Sequence, residues 1–291
     1  MLENFGFNLR SMISRLIAVN IAVFLLYRIV LAIVGMSAIA SAVAFWENFS
    51  LQYILLSSSW QHVLSHPWTL FTHAFFHRDL WHLLMNVLCL YGFGRITEDL
   101  VGYKKILPIY LFGALGGALL FLIAFSIVPS FRQMPGVAFG ASGAVMAIMA
   151  AAVTFAPHYE VSLLFLGRIR LLWVVFGMGI VDFINIPMQN AGGHIAHIGG
   201  ALMGWLYAYQ LQKGRDLAQP LYVVFDFVAT LFKPKPTKQT PVYRRMQADK
   251  EVKEKVHEEK VNVILEKISK SGYESLSKEE KDFLFSISNK K

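Results

Sequence analysis

A serine sits between glycines in Gly140-Ala141-Ser142-Gly143, at the head of the apolar run Ala144 to Ala156. Two uses fit that position. Small residues let helix backbones approach closely in lipid. A serine there is also a nucleophile, with its own N–H and the helix N-terminus turned towards any developing negative charge. Alone, the stretch favours packing. A second stretch changes the balance: Gly193-His194-Ile195-Ala196-His197-Ile198-Gly199-Gly200 places a base, His197, at the head of another apolar run. A serine and a histidine, each opening a membrane-length segment among small residues, point to a base brought against a nucleophile inside the bilayer.

A third group lies in Phe71-Thr72-His73-Ala74-Phe75-Phe76-His77-Arg78-Asp79-Leu80-Trp81-His82-Leu83-Leu84-Met85-Asn86. His82 and Asn86 are four apart and share a helix face. Both side chains can donate hydrogen bonds to an oxyanion. Three histidines also raise a metal site. No cysteine stands nearby and no His-Glu-x-x-His pattern is present, so the oxyanion reading is preferred and no metal or other cofactor is expected. His73 and His77 are read as loop hydrogen-bonding residues.

These residues need elements to hold them. A bilayer core takes about 20 mostly apolar residues per helix. The chain has six such candidates, near residues 13–34, 80–96, 106–128, 142–157, 171–186 and 194–211. Between the first two lies a long, apolar and Trp-rich loop, read as lying in or on the outer leaflet. The Val161–Leu166 stretch is too short to span. Gly113, Gly116 and Gly117 give the third segment a close-packing face. Gly143, Ala147 and Ala151 make a small-residue stripe on the fourth, and Ala196, Gly200 and Gly204 make one on the sixth. Packing those stripes together brings Ser142 and His197 side by side near the outer surface.

Composition agrees with a membrane protein. Of 291 residues, 55% are hydrophobic and only 16% charged, and the mean hydropathy is +0.48. Soluble domains are seldom so apolar. The net charge of +8 sits mostly at the end of the chain, with 17 Lys and Arg against 12 Asp and Glu from Lys213 onward. That excess reads as a face near anionic lipid, not as a nucleic-acid partner. An even span count and positive inner loops place both termini in the cytoplasm, and the expected setting is a bacterial inner membrane. Cys89 stands alone, so no intramolecular disulfide is possible.

With these motifs in place, the chain resembles the rhomboid intramembrane serine proteases. The resemblance rests on His82-x-x-x-Asn86, Gly140-x-Ser142-Gly143 and Ala196-His197-x-Gly199-Gly200, in that order on the expected segments. Glu98 followed by Gly102 and the Gly-rich third segment are also similar. The resemblance implies an all-α integral membrane protein, a six-helix bundle over residues 13–211 with a cavity opening outward. It implies Ser142 as nucleophile, His197 as general base, and His82, Asn86 and the Ser142 N–H as oxyanion donors. Gly140, Gly143, Met146 and Gly200 support them. The implied reaction is cleavage of single-pass membrane proteins near the outer end of their helix. With Asp182 read as a structural hydrogen-bonding residue, Ser142 and His197 stand as a dyad. The alternatives are an inactive client-binding relative, which would usually lack the serine or the histidine, and a transporter, which would favour repeats or broken helices in matching halves.

The sequence departs from the family twice. Many relatives have Trp-Arg where this chain has Trp68-Thr69. Many carry an aromatic ring four residues after the serine, where this chain has Met146. A thioether packs against imidazole more adaptably than a ring.

The end of the chain reads differently. Residues 212–243 form an interfacial segment, Leu221 to Phe232, and a basic Pro-containing linker, Lys233 to Pro241. Residues 244–291 read as a small helical cytoplasmic tail of unknown partner, with alternating charges from Arg244 to His257. Ser277-Lys278-Glu279-Glu280 has capping-box spacing. This tail is similar to one on some bacterial rhomboids.

Overall fold

The computed structural model describes residues 10–37, 39–133, 136–163, 167–188, 190–232 and 259–288. They fall into two compact units, one reaching Val224 and one starting at Phe225. All six expected apolar segments are helical. In the first unit the order is α1 (Met12–Met36), α2 (Ala40–Tyr53), β1 (Leu56–Ser57), α3 (Trp60–Ser65), α4 (Thr69–Thr72), a 3-10 turn (His73–Phe75), α5 (Leu80–Val101), α6 (Tyr103–Ile127) and α7 (Pro129–Arg132). Then come β2 (Val137–Ala138), α8 (Ser142–Phe155), β3 (Glu160–Leu163), β4 (Gly167–Arg170), α9 (Leu171–Asn185) and α10 (Ala191–Gln212); α11 (Gln219–Phe232) contains the boundary between the units.

By length and composition, α1 and α6 can cross a membrane. α8 and α9 are as apolar but shorter, and α5 and α10 are 22 residues each with more polar side chains. The polar content of α5 and α10 has a use, since these helices carry His82, Asn86 and His197.

α8 is the core of the unit. Every residue from Gly143 to Ala152 is buried. Lipid tails are as apolar as leucine, so helices gain little by hiding hydrophobic surface from lipid; they gain by packing closely. The small-residue stripes do this. A Cβ on Gly200 would run into the Gly143 carbonyl, and one on Gly204 into that of Ala147. A Cβ on Gly143 would lie 3.1 Å from the Ala196 carbonyl oxygen. α6 closes the trio: a Cβ on Gly117 would stand 2.7 Å from the Ala196 oxygen, and one on Gly199 2.5 Å from the Gly116 oxygen. α6, α8 and α10 therefore touch through their backbones.

Polar side chains secure the surrounding helices. Ser11 caps α1, accepting from the Ser14 N–H at 3.3 Å. Glu98, near the end of α5, accepts from the Ser11 hydroxyl at 2.5 Å and the Met12 N–H at 2.6 Å. Thr97 donates to the Ile148 carbonyl of α8 at 3.1 Å. Tyr110 of α6 donates to the Ala74 carbonyl at 2.8 Å.

The long loop after α1 is structured by α2, α3 and α4. Where relatives carry Trp-Arg, its anchoring is done by neighbouring groups. Trp68 donates from Nε1 to the Tyr53 carbonyl at 2.8 Å, Thr69 to that of His66 at 2.7 Å, and Thr72 to that of Ile54 at 2.9 Å. The loop then meets the serine stretch through an antiparallel pair, Leu56 opposite Ala138 and Ser57 opposite Val137. Of the Val161–Leu166 stretch, Val161 to Leu163 lie in β3, which pairs antiparallel with β4; residues 164–166 lie outside the described residues.

Asp216 joins three helices after α10. Tyr207 donates to it at 2.8 Å, the Ala218 N–H at 2.9 Å, and the Lys105 ammonium pairs with it. That cation and those donors hold its carboxyl below the usual range against the opposing effect of burial. The expected interfacial segment is helical as part of α11. The linker Lys233 to Pro241 and the alternating-charge stretch Arg244 to His257 lie outside the described residues.

In the second unit, helix α12 covers residues 259–271, followed by a 3-10 turn (Tyr273–Ser275) and α13 (Lys278–Ser288). The capping box forms as its spacing predicts. The Ser277 N–H donates to Glu280 at 2.7 Å and the Glu280 N–H donates to Ser277 Oγ at 3.2 Å. Lys267 of α12 pairs with Glu280 at 2.9 Å, tying the two helices together.

Candidate active site

Ser142 opens α8 from a turn that only glycine can make. Gly140 has φ +121°, a region that L side chains rarely adopt. A Cβ there would also stand 2.8 Å from Nε2 of His82. The imidazole of His82 thus fills the space beside the backbone just before Ser142. The turn is clamped from below: the Gly140 N–H donates to the His73 carbonyl at 2.9 Å, and the Ala141 N–H to His77 Nε2 at 3.4 Å.

The two clamping histidines are loop residues, as their sequence context suggests. His73 is buried and hydrogen-bonded from Nδ1 to the Thr69 carbonyl at 2.8 Å. Burial pushes both rings down to about 4, so they are neutral at pH 7. Neutral His77 can accept the Ala141 N–H, which an imidazolium could not.

His82 stands on the first turn of α5. Asp79 caps that helix and accepts the His82 N–H at 2.8 Å, a bond that holds the Asp79 carboxyl below its ordinary value. One turn on, Asn86 is buried and donates from Nδ2 to the His82 carbonyl at 2.8 Å. An amide nitrogen has two hydrogens, so one remains for another acceptor.

Ser142, His82, Asn86, Met146 and His197 line one cavity of about 370 Å³. Arg78 and Cys89 also border it. Met146 is buried, one turn after Ser142, and packs in the same core as α6 and α10. His197 reaches the cavity because Ala196, its neighbour, rests on Gly143, the neighbour of Ser142. Gly140, Gly143 and Gly200 are thus sites where backbone or ring occupies the space of a side chain.

Asp182, read in the sequence as a structural hydrogen-bonding residue, has two histidine partners. Asp182 of α9 accepts from Nδ1 of His197 at 2.9 Å and from Nδ1 of His194 at 2.8 Å, both at the same oxygen. An ionised carboxylate only accepts. Nδ1 of His197 therefore carries the proton, and Nε2 holds the free lone pair. A signal was present in the sequence: His194 and His197, three apart on one helix face, follow the one carboxylate within the preceding apolar segment. Asp182, His194 and His197 also offer three potential metal-ligand atoms within 4.8 Å. Two hydrogen bonds to one oxygen already account for that spacing.

The cavity, lined by a serine hydroxyl, two imidazoles and an asparagine amide, lies in a helical domain. The rhomboid domain matches residues 64–214, and the chain belongs to the rhomboid family. It is 27% identical over 216 residues to rhomboid protein 1, mitochondrial, of Saccharomyces cerevisiae, covering 70% of this chain and 54% of that one. It is 30% identical over 227 residues to RHOMBOID-like protein 12, mitochondrial, of Arabidopsis thaliana, covering 72% and 61%. It is 28% identical over 198 residues to the presenilin-associated rhomboid-like protein, mitochondrial, of Homo sapiens, covering 64% and 49%. The chain spans about half to three-fifths of the length of these relatives.

These names overturn the expectation of a bacterial inner membrane, since all three relatives are mitochondrial. The physical reason for the error is plain. Basic flanks report which end of a helix stays on the inserting side. They do not report which membrane it is.

Proposed function

We propose that this chain is an intramembrane serine endopeptidase that cuts transmembrane segments of single-pass membrane proteins. Helices α1, α5, α6, α8, α9 and α10 are its six spans in this reading, and the mitochondrial relatives support a mitochondrial membrane as the setting. The observation that carries the proposal is the seating of Ala196 on Gly143, which sets Ser142 and His197 on one cavity.

The chemistry follows from the groups present. His197 Nε2 takes the proton of the Ser142 hydroxyl as Oγ attacks the scissile carbonyl carbon. The carbonyl oxygen becomes an oxyanion. The Ser142 N–H, the free Asn86 amide hydrogen and the His82 ring are its donors. The tetrahedral intermediate collapses, the C–N bond breaks, and the amine leaves with the proton from His197. A water molecule then gives its proton to His197 and attacks the acyl-enzyme. The acid leaves, and Ser142 recovers its proton. The bilayer holds no water for the second half, so a cavity with polar walls is a requirement of the mechanism.

Cleavage of a single-span substrate in proteoliposomes tests this. Ser142→Ala and His197→Ala should each abolish product with folding intact, and Ser142 should be labelled by a fluorophosphonate in the parent. Cleavage at the parental rate by Ser142→Ala would refute the assignment.

A further inference from the structure

α9 is an apolar helix with one inward polar residue. Val181, Phe183 and Ile184 are each more than half exposed, whereas Asp182 is 5% exposed. A carboxylate in such a helix is costly unless it is paired. Its partners are specific: both Nδ1 nitrogens of α10's first turns converge on a single oxygen. The rings of His194 and His197 meet edge to face, with centroids 6.1 Å apart. Helix packing alone does not ask for a charge here, since the stripes of α6, α8 and α10 already close the core. Met146 and His197 line the same cavity, and the ring in contact with the imidazole of His197 is that of His194.

We propose that Asp182 is a positioning residue for the reaction, acting through His197 as the acid of a Ser142–His197–Asp182 relay, with His194 holding the carboxylate in place. The proposal rests on the reading of Ser142 and His197 as the reacting pair. Asp182 has three effects there. It fixes the tautomer, leaving Nε2 as the proton acceptor. It fixes the ring's rotation about χ2, because the hydrogen bond to Nδ1 holds only in one orientation. It faces the imidazolium that forms when His197 takes the serine proton, and it does not itself become protonated. His194 donates to the same oxygen from the adjacent side, so the carboxylate cannot swing away as the charge develops. Across the cavity stands His82; of the other charged groups near the site, Arg78 borders the cavity and Asp79 caps α5.

The test uses the full chain in proteoliposomes with a single-span substrate. The variants are Ser142→Ala, Asp182→Asn and Asp182→Ala, and Asp182→Ala is assayed with and without added formate. Loss of the acid in a related relay lowers turnover by about 10⁴, so Asp182→Asn should lower kcat by at least about 100-fold. KM should stay within about twofold and the melting temperature near that of the parent. Formate, a small carboxylate, should restore part of the turnover of Asp182→Ala. A structural role would instead lower the folded fraction, and formate would not recover it. Turnover of Asp182→Asn within threefold of the parent overturns the proposal, as does a loss matched by the loss of folded protein. The two failures are separable. If Ser142→Ala still cleaves, the protease reading is wrong and this inference falls with it. If Ser142→Ala is dead while Asp182→Asn is fully active, only the role of Asp182 is wrong.

Discussion

The carbonyl oxygen of Gly143 occupies the space where a side chain on Gly200 would begin. One residue before Gly143 is Ser142, and three before Gly200 is His197. The relative placement of Ser142 and His197 therefore hangs on a backbone contact between glycines. Gly200→Ala should force α8 and α10 apart at a cost of about 1–3 kcal/mol. A shift near 1 Å can cost roughly 10²-fold in rate, so turnover should fall much further than stability. Gly177→Ala, on α9 with open space around it, is the control and should leave both unchanged. Thermal unfolding and turnover measured on both variants decide the matter.

His82 and Asn86, the two side chains proposed as oxyanion donors, lie on one helix face but are held differently. Asn86 spends one amide hydrogen on the His82 carbonyl, and the ring of His82 is pressed against Gly140. Loss of one donor in such a site costs about 10²–10³ in rate. Partial redundancy should soften Asn86→Ala and His82→Ala singly, and the double variant should show the full loss in kcat. A double variant within a few-fold of the parent would remove these residues from the mechanism.

Met146 is a buried thioether at the cavity wall. Met146→Ala should lower stability by about 2–5 kcal/mol and, on the reading that Met146 supports His197, lower turnover as well. Met146→Phe has a cavity to fill, should fold, and should match or exceed the parental rate because a ring is a stiffer floor. Equal turnover and melting temperature for Met146→Ala and the parent would place Met146 away from the base.

Acid should weaken the clamp beneath Ser142. His73 and His77 lie near 4 in the folded chain against 6.5 unfolded. The unfolded chain thus binds more protons between these values, and stability falls as pH drops from about 6.5 towards 4. For His73 the full effect is on the order of 3 kcal/mol, from the value of one pKa step. Melting temperatures at pH 7, 6, 5 and 4.5 should decline, and His77→Gln should flatten the slope. A flat parental profile would contradict the neutral clamp.

Much of this protein is decided within short stretches of sequence. The six helices are legible because each is a continuous apolar run, and a run of that kind in lipid must satisfy its own backbone. The small-residue stripes are legible for the same reason, since Gly143, Ala147, Gly200 and Gly204 repeat at the spacing of a helix face. So is the Ser277–Glu280 capping box, which spans one turn. Three features depend on the tertiary structure. The sequence marks Val161–Leu166 only as an apolar stretch too short to span, whereas Glu160–Leu163 form a strand because Gly167–Arg170 supply its partner. The loop before α5 is anchored by Trp68, Thr69 and Thr72 to carbonyls up to 18 residues away, which no local pattern records. Asp182 is the clearest case. In sequence it is one carboxylate in an apolar helix, and its meaning depends on which way α9 is rotated. Only the packed bundle turns it towards His194 and His197, because hydrogen bonds are directional and a carboxylate 2.9 Å from a ring nitrogen fixes a tautomer, while one on the opposite face of the same helix fixes nothing.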